Sequence, residues 1–165
     1  MRPKKLSENL QQCRLSKSKW ACCNLSVSAI GKMPAAAADV CTLYLSSNRL
    51  QGLDGIEQFL NVQRVSAASN CIADLSSIHR LACCQALQEL RCDDNPIARL
   101  PYYRACIIAL LPSLKILDGI AITDLEAQEA ARCSRQMHAS LDIMLANACN
   151  AHKLVCPYAS VPGDP

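Results

Sequence analysis

Three asparagines, Asn48, Asn70 and Asn95, recur 22 and 25 residues apart in matching surroundings. Behind them, at two, five and eight positions, stand Leu50, Leu53 and Ile56, then Ile72, Leu75 and Ile78, then Ile97, Leu100 and Tyr103. Ahead of them stand Val40, Leu43 and Leu45, then Val62, Val65 and Ala67, then Leu87, Leu90 and Cys92. This spacing has neither the period of 2 of a strand nor the 3.6 of a helix. It therefore describes a whole repeating unit. Two alternating apolar residues would point inward from a short strand, and the Asn would turn inward to bond the loop that ends it. A buried polar group left without partners costs about 1 to 3 kcal/mol, so the Asn belongs where loop N–H and C=O groups need one. No such unit can bury its own apolar edge, and stacking is what closes the core.

That pattern is the leucine-rich repeat. The predicted fold is α/β: a short solenoid of about four repeats with a parallel sheet on its concave side, a C-terminal cap and an added helix. The first copy is open in register. One alignment puts Cys23 at the Asn position, with Leu15 and Trp20 ahead and Leu25 and Ile30 behind, and its regular step favours it. Another puts Ser18 there at the expense of a longer step. The segment "KMPAAAAD" is then the convex connection into the Val40 strand.

The solenoid's last unit needs a cap, and "NPIARLPYYR" followed by "LPSLKILDG" supplies its sequence. These residues resemble the last repeat and C-terminal cap of the Sds22-like family of leucine-rich repeat proteins. That family includes a phosphatase regulator, a spliceosomal U2 A′ subunit, an axonemal dynein light chain and centrosomal proteins. Its centriole and basal-body members, which join the array to a coiled coil, are the most similar over "DDNPIARLPYYRACIIALLPSLKILDG", and "DVCTLYL" is similar to another centrosomal member. The resemblance covers residues 15–122. It implies that Tyr103 and Arg104 open a helix with Ile107, Ile108 and Leu111 on its apolar face, and that Leu114, Leu117 and Asp118 close the core. Asn48, Asn70, Asn95, Tyr103, Arg104 and Asp118 are thus the expected structural residues.

Residues 123–152 read as one helix, with Thr123 or Asp124 as N-cap and Glu126 in its first turn. Cys133, Met137, Leu141, Met144 and Ala148 share a face, which either folds back on the cap or offers a partner or dimer helix. Residues 153–165, with three prolines, should be irregular. Residues 1–14 form a basic N-terminal tail or an N-cap. The first 20 residues hold six Lys or Arg against Glu8, although the whole chain carries only +3. A solvated tail is the plainer reading, and contact with an acidic surface or nucleic acid the sharper one.

Nothing in the sequence points to an enzyme, a metal or a cofactor. His79, His138 and His152 are scattered, the twelve cysteines give adjacent pairs such as Cys22–Cys23 and Cys83–Cys84 but no C-x-x-C, and there is no Gly-rich phosphate loop. With no apolar run of about 18 residues and no secretory signal, the chain is expected to be intracellular, its cysteines reduced and packing as small hydrophobes. Function would then sit on the concave face, on Thr42, Tyr44 and Ser46, Arg64, Ser66 and Ala68, and Glu89, Arg91 and Asp93. The expected role is a protein-binding adaptor, by resemblance at a centriole, basal body or axoneme. A nuclear ribonucleoprotein adaptor and a phosphatase regulatory subunit are the alternatives.

Overall fold

The computed structural model of the chain describes residues 4–73, 75–133 and 135. Seven short strands run in chain order across one sheet: β1 (Arg14–Leu15), β2 (Lys19–Ala21), β3 (Thr42–Tyr44), β4 (Arg64–Ser66), β5 (Glu89–Arg91), β6 (Ile116–Leu117) and β7 (Ile120–Ala121). β2 to β6 pair in parallel, while β1 and β7 fold back antiparallel at the two edges. Each returning connection is helical and convex: 3-10 turns at Ala35–Asp39 and Ile56–Gln58, α1 (Ser76–His79) running into a 3-10 turn, and α2 (Tyr103–Leu110). This is the predicted solenoid.

The core lies between sheet and convex side. Leu43, Leu45, Leu50, Leu53 and Ile56 are fully buried, as are their equivalents Leu90, Cys92 and Ile97. The chain's one Trp and one Phe meet inside it, with the Trp20 and Phe59 rings edge to face at 5.7 Å. The asparagines act as the spacing requires. Asn70 Oδ1 accepts the Leu50 N–H at 3.0 Å while its Nδ2 donates to the carbonyls of Leu45, Ala67 and Ala68. Asn95 does the same with the Ile72 N–H and the carbonyls of Ala67, Cys92 and Asp93. Just before each Asn the chain leaves the sheet through a left-handed residue, Ser47, Ser69 or Asp94.

The first repeat differs from both sequence alignments. Trp20 pairs with Leu43, which makes the step 23 residues and puts Leu25, not Cys23 or Ser18, at the Asn position. The left-handed residue before it is Asn24, in line with Ser47. As in the later loops, the acceptor comes from the next repeat: Asn48 Oδ1 accepts the Leu25 N–H, as Asn70 accepts Leu50, and also the Val27 N–H.

Residues 4–15 lie against the first repeat, with Leu6 and Asn9 buried and the lysines Lys4 and Lys5 exposed. Leu6 is fully buried, its N–H donates to Ala29 O and the Ser7 N–H donates to Ile30 O, so this segment covers the apolar edge of the first repeat. The far end of the expected helix, from residue 136, and the 153–165 tail lie outside the described residues, as do His138 and His152.

Candidate functional site

Strand register gathers the predicted concave residues into rows. Lys19, Thr42, Arg64, Glu89 and Ile116 stand side by side, and so do Ala21, Tyr44, Ser66 and Arg91. Ladder bonds from Ser47 N–H to Ala68 O and from Ser69 N–H to Asp93 O extend the sheet, so that Ser46, Ala68 and Asp93 form a third row. All nine predicted residues therefore share one face. Thr42 and Ala68 are nevertheless 6% and 8% exposed, leaving them as floor rather than contact surface. Lys19 and Ala21 belong to the face too. Sequence reasoning missed them because the first repeat's register was open, and the alternation of Trp20 and Cys22 matching Leu43 and Leu45 was the signal for it.

The face has one aromatic prominence and a polar, charge-balanced flank. Tyr44 is 42% exposed, and the small Ser66 separates it from Arg91 in the same row. Ser46 Oγ and Ser66 Oγ lie 2.8 Å apart. Arg64 pairs with Glu89 at 3.3 Å, and the Arg91 guanidinium donates twice to Asp93 at 3.1 Å, which holds its pKa above the ordinary value. Such exposed pairs contribute only about 0 to 1 kcal/mol, but they fix where the guanidinium groups point.

At the C-terminal end the cap is built from the residues that the motif named. In the array, a strand N–H of each repeat donates to a carbonyl of the next: Cys22 to Tyr44, Leu45 to Ser66, Ala67 to Arg91. No further repeat follows Cys92, and its N–H donates instead to Asp118 Oδ1 at 2.7 Å. The carboxylate thus substitutes for the missing repeat, while its Oδ2 accepts the Tyr103 hydroxyl at 2.9 Å. Burial pushes the Tyr103 phenol up, and the anionic Asp118 beside it adds to the shift. Arg104 links the cap to the helical run 124–133: it donates to Glu126 at 2.7 Å and to Ala121 O. Thr123 and Glu126 form a reciprocal capping box, which selects Thr123 as the N-cap. These bonds, first from Arg104 and then from Thr123, pull the Glu126 carboxyl down to about 2. Between α2 and this helical run lies an apolar groove of about 600 Å³ lined by Tyr102, Cys106, Ala109, Ala130 and Cys133.

Among the described residues no three His, Cys, Asp or Glu side chains are placed to hold a metal ion. Burial pushes the Cys92 thiol up, and Cys84 up to about 11, which makes both poor nucleophiles.

The leucine-rich repeat family model matches residues 24–143. The chain belongs to the leucine-rich repeat family. It is 37% identical over 79 residues to the U2 small nuclear ribonucleoprotein A′ of Schizosaccharomyces pombe, covering 47% of this chain and 33% of that protein. To the centrosomal protein of 72 kDa from Mus musculus it is 31% identical over 98 residues, covering 59% of this chain and 14% of that one. It thus spans a third or less of the length of these relatives. A crystal structure of the Drosophila melanogaster SNF/U2A′ complex superposes with a TM-score of 0.61 over 82% of this chain and 98% of that one, at 19% identity, a likeness of fold. As a leucine-rich repeat array the chain presents a rigid, extended face of the kind used for protein binding.

Proposed function

We propose that the chain is a non-enzymatic interaction module that grips a protein partner on its concave face and acts as an adaptor at a centriole, basal body or axoneme. The observation that carries the binding reading is the row in which exposed Tyr44 and Arg91 flank the small Ser66. Tyr and Arg are the residue types that anchor interfaces, and the gap between them admits a side chain of the partner. The location rests on the cap motif's likeness to the Sds22-like family and its centrosomal members, together with the similarity to a mouse centrosomal protein. A nuclear ribonucleoprotein adaptor is the second reading, favoured by the identity to the fission-yeast U2 A′ protein.

Affinity purification from cells, comparing the native chain with a Tyr44→Ala, Arg91→Ala double variant, tests both parts. Centriolar or axonemal proteins that disappear with the double variant are the expected result. Partners that persist in the variant move the site to the cap or its groove. Splicing proteins in their place would replace the cytoskeletal reading with the nuclear one.

A further inference from the structure

The N-terminal hairpin carries two cysteines that the function above does not use. Arg14 pairs with Ala21 and Leu15 with Trp20, so the next pair outward along the two antiparallel chains is Cys13 and Cys22. Neither makes a ladder bond to the other, since the Cys13 N–H donates to Leu10 O and the Cys22 N–H to Tyr44 O. Theirs is a non-hydrogen-bonded cross-strand position, where opposed Cα atoms stand about 4.5 Å apart and side chains approach most closely. That separation lies within the range a disulfide spans. Both side chains turn toward the core: Cys22 is fully buried, and half-buried Cys13 packs against the same cluster. Cys23, next in sequence, alternates away from Cys22 and is less buried than it.

We propose that Cys13 and Cys22 are an oxidation site, closing a disulfide that staples the N-terminal cap to the first repeat. The oxidant is a small-molecule disulfide of the glutathione type. The more accessible Cys13 thiolate attacks one of its sulfurs, forming a mixed disulfide and releasing one glutathione thiolate. Cys22 then gives up its proton and attacks the Cys13 sulfur, releasing the second. Two protein thiols are oxidised, one glutathione disulfide is reduced to two thiols, and the two protons end on the leaving groups. Burial pushes both cysteines' pKa up, and each feels the other and Cys23, so the exchange is slow rather than catalytic. The product is a closed ten-residue loop at the edge that is otherwise held by Leu6, Asn9, Leu10 and a few backbone bonds.

The test uses the full chain, purified reduced and folded, then equilibrated for hours at pH 8 with oxidised glutathione. Remaining thiols are blocked and the protein digested with trypsin, which separates residues 6–14 from residues 20–32. The expected product joins these two peptides through Cys22, as fragmentation between Cys22 and Cys23 reports. Its Tm should rise by about 5 to 10 °C and return on reduction with dithiothreitol, a readout that needs no variant. The gain should vanish in Cys13→Ser and persist in Cys23→Ser. A link from Cys13 to Cys23, links between chains, a Cys13–glutathione adduct that never closes, or a closed link without a gain in Tm would each overturn the proposal.

Discussion

Asn70→Ala, read bond by bond, separates the groups that depend on the asparagine from those that merely touch it. The substitution deletes four hydrogen bonds, yet each of the three carbonyls keeps a second donor. Leu45 O retains Asn48 Nδ2, Ala67 O retains Asn95 Nδ2, and Ala68 O retains the Ser47 N–H. The group left stranded is the Leu50 N–H, in a residue with no exposed surface. An unpaired buried N–H costs about 1 to 3 kcal/mol, and that is the expected loss. Asn48→Ala strands more, since the Leu25 N–H, the Val27 N–H and the Cys22 carbonyl all turn to Asn48. Its loss should be roughly twice as large. Asn70→Asp is the sharper variant. It keeps the acceptor for Leu50 but aims a second oxygen at three carbonyls, so its carboxyl pKa must rise in the folded state above the unfolded value of about 3.9. The folded state then binds the extra proton, and stability falls as pH rises from about 4. Urea denaturation at pH 4 and pH 7 decides the matter: Asn70→Asp should be worse than Asn70→Ala at pH 7 and recover at pH 4. An Asn70→Ala midpoint shift as large as that of Asn48→Ala, at equal slope, would refute the accounting.

Two further perturbations probe the ends of the array. Gly31 has φ +77°, and a Cβ there would lie 2.6 Å from Ser7 Oγ, so Gly31→Ala should cost about 1 to 3 kcal/mol and loosen the N-terminal cap. Faster hydrogen exchange at the Leu6 amide is the signature, and an unchanged rate there counts against the cap. At the other end, the Glu126 carboxyl is depressed from its ordinary 4.5 to about 2, so its stabilisation is complete above 4.5 and is lost as pH falls toward 2. The amide of Ala127, bonded to Thr123 O, should lose protection in that window, and Glu126→Gln should abolish the pH dependence.

The frame was legible where its chemistry repeats. Asn48, Asn70 and Asn95 announce themselves because an inward amide serving a loop is needed once per turn, whereas the Leu-Asp-Gly of the cap was legible only through its resemblance to known caps, and the part Asp118 plays appears in the structure. The first repeat was not legible, for the same reason: it has Leu25 where an Asn would mark the register, and as the first unit it has no earlier loop for such an Asn to serve. For the N-terminal segment the sequence left a solvated tail and an N-cap both open. Its basic character described the tail, whereas buried Leu6 and Asn9 and backbone bonds to Ala29 and Ile30 decide its placement. On the concave face the sequence identified which residues alternate outward but not that neighbouring strands would cover Thr42 and Ala68, since coverage depends on the lengths of the side chains beside them.

The same division between frame and face makes the binding experiment interpretable. Every buried side-chain nitrogen and oxygen among the described residues has a partner, so the frame is satisfied without any ligand. Tyr44 and Arg91 stand outside it: Tyr44 is 42% exposed, and the Arg91 guanidinium bonds to Asp93, two residues on in the same repeat. Surface changes of this kind are usually worth no more than about 0.5 kcal/mol each, and the Arg91–Asp93 pair about 0 to 1. The Tyr44→Ala, Arg91→Ala double variant should therefore unfold within about 1 kcal/mol of the native chain, while an interface anchored by the two residues would lose about 2 kcal/mol or more for each. A large stability loss would mean that the pair belongs to the frame, and the loss of a partner could then no longer be assigned to the face.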